Sequence, residues 1–124
     1  MSDYNNEIRG IVGPVPGIDI DTLIAEQILG WRKVDGKWVS DDGDYQIWMP
    51  HRHFSDCDGD ALWLAQYCEV FCIEKLRKGW YCELKLEGGT AITHAHAATI
   101  AFAVCMATLR QPYTHPNQQK GGEK

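Results

Sequence analysis

Gly88–Arg110 reads GGTAITHAHAATIAFAVCMATLR, and its period changes midway. The first half alternates every second position as a strand does, and the second repeats apolar residues at near-helical spacing. It predicts a short strand over TAITHAHA, turned in by Gly88-Gly89, then a helix capped by Thr99 and running to Leu109. His94 and His96 stand two apart in the strand half, so both project from one face. A strand feeding a closing helix frames the rest of the chain as an α+β domain.

Immediately upstream, Trp80, Cys82, Leu84 and Leu86 alternate with Tyr81, Glu83, Lys85 and Glu87, the pattern of a strand with one wet face. Before it, ALWLAQYCEVFCIEKLRK predicts a long helix from Asp60 to Lys78, capped by Asp58 or Asp60. Lys75, Arg77 and Lys78 would complement its dipole, and Gly79 would stop it. Leu64, Cys68, Phe71, Cys72 and Leu76 make one face. Trp63, Tyr67, Val70 and Ile73 leave a second apolar face that needs a loop or another subunit against it.

Nearer the N-terminus, IDIDTLIAEQILGW predicts a first helix, with Asp19 or Asp21 as N-cap, a stripe of Leu23, Ile24, Ile28 and Leu29, and Gly30 as its stop. Asp35-Gly36 and Asp42-Gly43 then punctuate WRKVDGKWVSDDGDYQIWMP into a hairpin or meander. HRHFSDCDGD is a loop by composition. Two prolines and three glycines in GIVGPVPG make residues 1–18 a flexible arm, residues 19–110 form a single domain, and residues 111–124 form a disordered tail. The expected order is helix, two or three strands, long helix, two strands, helix. Its fold class is α+β, an antiparallel sheet of four to five strands covered by three helices.

A chain of 124 residues fits one core, and 44% hydrophobic with 23% charged residues is ordinary for a globular protein. The net charge of -5 opposes the basic field that duplex nucleic acid demands. No apolar run reaches the roughly 18 residues that span a bilayer, and the opening MSDYNNEIRG is polar, which places the chain in the cytoplasm of its host cell. Cys57, Cys68, Cys72, Cys82 and Cys105 are odd in number, and most fall in apolar segments, where they read as small core residues.

LIAEQILGW, a tryptophan-rich hairpin, DALWLAQYCEVFCIEKLRKGWYCELKL and HAHAATIAFAVCMATL occur in series over residues 20–110. That series resembles the small bacteriophage proteins grouped as the phage ABA sandwich domain. The shared positions are mostly packing positions, such as Gly30-Trp31, Ala61 to Trp63, and Ala95, Ala97 and Thr99 before Ala103, Cys105 and Leu109. The resemblance therefore implies a scaffold and a phage origin, and no activity. The chain departs from the pattern in its longer arm, in the HRHFSDCDGD loop, and in histidines at 94 and 96.

Three chemistries compete for the polar residues. His51, His53 and Asp56 supply ligand types for a transition metal, but no CxxC or HExxH occurs, and capping explains the aspartates. His94 and His96 would join His51 and His53 across the sheet as an imidazole cluster or acid-base pair, against the plainer reading that both line a solvated edge strand. Trp31, Trp38, Trp48 and Arg52 offer flat rings and a guanidinium suited to a base and a phosphate, against the plainer reading that strand tryptophans pack in the core. Taken together, Trp48, His51, Arg52, His53, His94 and His96 are the expected ligand residues of a non-enzymatic accessory protein binding a small nucleotide-type molecule, such as a host defence signal. No cofactor is implied. The rival is an interaction module that forms a homo-oligomer or docks on a host protein through the long helix, and a metal-dependent enzyme stands third.

Overall fold

The computed structural model describes residues 7–35, 37–39, 46–47 and 53–116. Trp48, His51, Arg52 and the Asp42-Gly43 turn lie outside them.

The chain is α+β, with helices and antiparallel strands in the expected alternation. It opens with a hairpin of β1 (Glu7–Ile8) and β2 (Ile11–Val12), which leads to α1 (Ile18–Leu23). α1 widens into a π-helical turn over Ile24–Ile28, and the chain reverses at Gly30, φ 75°. A three-stranded sheet follows, β3 (Arg32–Val34), β4 (Lys37–Val39) and β5 (Gln46–Ile47). Val34 pairs with Lys37, and Asp35 takes a positive φ of 53°; Gly36, the other residue of the expected turn, lies outside the described residues. Then come α2 (Asp58–Leu62), a 3-10 turn over Trp63–Tyr67, a second three-stranded sheet of β6 (Cys68–Leu76), β7 (Gly79–Leu86) and β8 (Thr93–Ala97), and α3 (Ile100–Leu109).

The helix expected over 60–78 is corrected here. Helical structure ends at Tyr67, and Cys68–Leu76 is strand, paired antiparallel to β7 from Cys68↔Leu86 to Leu76↔Gly79. The residues carry both periods: Val70, Cys72 and Glu74 alternate with Phe71, Ile73 and Lys75. Stiff or aromatic side chains at Val70, Phe71 and Ile73 favour the extended form once β7 is there to receive them. Arg77 and Lys78 form the hairpin turn instead of completing a helix end.

α3 explains the middle of the fold. Thr99 is its N-cap, its hydroxyl accepting the Phe102 N–H at 3.1 Å as the sequence predicts. Ala101 and every residue from Ala103 to Leu109 are buried, so the helix is covered all round. It packs on β7 and β8 with one side and on α2 and the π-helical turn with the other. Small alanines let these layers approach, and Cys82, Leu84, Ala95 and Val104 are essentially inaccessible between them.

Both ends of the described chain join this core. Ile8 is buried, and Arg9 in the hairpin turn donates to Gln27 Oε1 and to the carbonyls of Leu109, Gln111 and Tyr113. The arm expected to be flexible is thus tied down over Glu7–Val12. Gln111, expected in a frayed tail, is 1% exposed, and His115 donates its N–H to the Gln27 carbonyl at 2.7 Å. Residues 111–115 form a strap across the end of the helices.

Candidate functional site

The strap helps to form a cleft of about 210 Å³ lined by Ile28, Leu29, Trp31, Tyr67, Leu86, Glu87, Tyr113 and His115. Its floor comes from the end of the first helical segment and from β7. Its walls come from the 3-10 turn and the strap. The Glu87 N–H donates to the Tyr67 carbonyl at 3.0 Å, which ties the end of β7 to the 3-10 turn. At Gly30 the absence of a side chain decides the far wall, because a methyl there would run into the His115 imidazole. The same glycine ends the helical segment with a positive φ.

Behind the cleft runs an aromatic row. Trp31 lies 6.1 Å from Phe54 and 6.2 Å from Trp63 between ring centroids, and Trp63 meets Tyr67 edge-on at 5.4 Å. Phe54, from the segment read as a polar loop, is fully buried in this row. Trp31 and Trp38 are 4% and 2% exposed, so both serve the core, and Trp31 also touches the cleft.

Of the expected ligand residues, Trp48, His51 and Arg52 lie outside the described residues, and His53, His94 and His96 are not among those lining the cleft. His53 is exposed in the turn before α2, its N–H donated to Asp60 Oδ2 at 2.7 Å. Asp56 is exposed in the same turn. His94 and His96 stand exposed on the outer face of β8, with Tyr81 between them at 5.7 Å from each ring. α2 packs on α3, and α3 packs on the inner face of that sheet. His53 and the His94–His96 pair therefore occupy opposite sides of the sheet; His51, expected to join them, lies outside the described residues. Among the described residues no group of three or more His, Cys, Asp or Glu side chains is arranged to hold a metal ion.

The aspartates have specific partners. Asp58 Oδ1 accepts the Ala101 N–H at 2.9 Å, capping α3 and not α2. Asp21, expected as an N-cap, is buried and accepts from Ser55 instead. Burial pushes its carboxyl above the usual aspartate range, against the pull of the Ser55 hydrogen bonds. Ser55 also receives the Gly17 N–H at 2.8 Å, so its hydroxyl is consumed inside the structure. Burial likewise drives the Cys68 thiol to about 11, that of Cys82 to about 12, and that of Cys105 well above its ordinary value. Such thiols are poor nucleophiles.

The cleft is not legible in the sequence because its parts come from four segments. The available signal was Gly30-Trp31 next to a helix stop, together with the aromatic residue Tyr113 in the supposed tail.

No protein-family model matches the chain, and no curated protein sequence matches it. Among solved structures the fold is similar to that of a phage protein from Bacillus cereus, with a TM-score of 0.54 and 22% identity over 77% of this chain and 89% of that one. At that identity the likeness shows the fold. No helix among the described residues is long and apolar enough to cross a membrane.

Proposed function

We propose that the protein is a phage accessory protein of the ABA sandwich kind, which binds a small nucleotide-type ligand without transforming it. The cleft against Trp31 carries this reading. It is concave, and its surface is divided about evenly between polar atoms and the apolar atoms of Ile28, Leu29, Leu86 and the aromatic rings. At about 210 Å³ it admits one ring system, leaving sugar and phosphate outside, beneath the common range of about 300–1,000 Å³ for drug-sized ligands. The phage description of the similar fold and the resemblance in the sequence support the origin, and free cysteines fit a reducing host cytoplasm. Its purpose would be sequestration, for which binding alone suffices.

Mass spectrometry of small molecules released after incubation with host extract tests the proposal, alongside thermal shifts with nucleobases, nucleosides and nucleotides. A retained molecule whose binding is lost in Tyr113→Ala supports it. No retained molecule and no shift with any of the panel rejects it.

One observation favours a second reading, self-association. β6 is an edge strand with no partner on its outer side among the described residues, Phe71 and Ile73 on it are only half-buried, and Val70 is 38% exposed. Light scattering of wild type and Val70→Glu tests it. A monomeric wild type ends this reading. Trp63→Glu would be uninformative, because Trp63 packs against Trp31 and Phe54.

A further inference from the structure

We infer that the cleft selects a planar ring cation, such as an N-alkylated pyridinium or purinium group. This rests on the cleft being the ligand site, and it names the chemistry of what enters. Trp31, Tyr67 and Tyr113 supply aromatic surfaces, Glu87 supplies a carboxylate, and neither lysine nor arginine is among the residues that line it. Aromatic faces carry negative quadrupole density, which attracts a cation and does nothing for a neutral ring beyond stacking. The carboxylate of Glu87 supplies the opposite charge, on a main chain anchored to Tyr67 by the Glu87 N–H.

The same lining argues against an anion. A phosphate drawn into the cleft would meet Glu87 with no guanidinium or ammonium in the wall, where the imidazole of His115 is the sole basic side chain in the lining. Arg9 does not change this. It is absent from the lining, and its guanidinium is committed to Gln27 Oε1 and to the Leu109, Gln111 and Tyr113 carbonyls. The net charge of -5 adds a weak long-range field of the same sign. Size supplies the last condition: a cleft of about 210 Å³ suits a single substituted ring. In a nucleotide-type ligand, the charged ring would enter and the phosphates would remain in solvent.

The discriminating experiment uses a matched pair, 1-methylnicotinamide and nicotinamide, which differ by one methyl group and one positive charge. Each is titrated into the full chain by calorimetry, while the Trp31 indole resonance is followed by NMR. The cation is expected to bind at least about tenfold more tightly than the neutral amide, in line with a partly desolvated cation–π contact aided by a carboxylate. Glu87→Gln is expected to remove most of that preference by weakening the cation more than the neutral amide, with the thermal midpoint held, since Glu87 is exposed.

Equal or tighter binding of nicotinamide to wild type overturns the cation assignment, while the indole shift keeps the cleft as a ligand site. A preference that survives in Glu87→Gln also overturns it as argued here. If neither compound moves the Trp31 resonance and the nucleotide panel is equally silent, the ligand-site reading fails and the cation inference fails with it.

Discussion

Asp21 Oδ1 accepts both the backbone N–H and the hydroxyl of Ser55, each at 2.8 Å, and ties the first helix to the turn before α2. Burial raises the pKa of this carboxyl in the folded state. A raised folded pKa means that the folded chain binds the proton more readily than the unfolded one. Asp21 therefore contributes stability that is fully present below its unfolded value and is lost as pH rises through the folded value. Asp21→Asn, which keeps the acceptor without the charge, is expected to match or exceed wild-type stability at neutral pH. Its advantage should shrink as the solution is acidified. Asp21→Ala leaves Ser55 unsatisfied and should cost about 1–3 kcal/mol. Urea denaturation of the three proteins across the acidic range checks both signs.

Gln111 bridges two strands at the end of the core. Its Oε1 accepts the Leu86 N–H at 3.2 Å, and its Nε2 reaches the carbonyls of Leu84 and Ala91 and the Thr93 hydroxyl. Gln111→Ala strands several of these buried groups at once, and a loss of about 3 kcal/mol is expected. Gln111→Glu conserves volume but turns an acceptor toward two carbonyls, so it should be comparably destabilised. Equal denaturation midpoints for Gln111→Glu and wild type would refute this role.

Arg9 sits in the tight turn of the first hairpin with φ 50°, a left-handed conformation that its four hydrogen bonds help to hold. Arg9→Ala should destabilise the chain by about 2 kcal/mol and expose the Glu7–Val12 hairpin to proteolysis. Arg9→Lys should not rescue it, because a single ammonium cannot reproduce the planar fork. Limited proteolysis followed by mass spectrometry locates the cut.

Thiol labelling should divide the five cysteines. Cys57 and Cys72 are exposed, whereas Cys68 is half-buried and Cys82 and Cys105 are buried. Two rapid labels are expected at neutral pH, both abolished by Cys57→Ser with Cys72→Ser. Raising the pH to about 9 should not recruit Cys82, whose thiol burial pushes to about 12. Rapid modification of Cys82 in the native protein would contradict its place beneath α3.

Legibility followed the range of the interactions. Thr99 and the Trp80–Leu86 alternation were readable because each is decided within a few residues. Cys68–Leu76 was misread because its residues satisfy a helical stripe and a strand alternation equally well. Only hydrogen bonds to β7 break that tie, and their partners lie beyond a hairpin turn. The candidate site was less readable still, since Trp31, Tyr67, Glu87 and His115 meet only after four separate elements are packed.

The sequence by itself determined the α+β class, the capped closing helix and the face on which His94 and His96 stand. These follow from side-chain period and capping, which need no distant partner. Tertiary structure alone decided that Asp21 and Gln111 would be buried hydrogen-bonding hubs, that both ends would dock, and that a cleft would form against Trp31. Polar residues are ambiguous in sequence because burial is affordable only where partners converge, and convergence is a property of the folded chain.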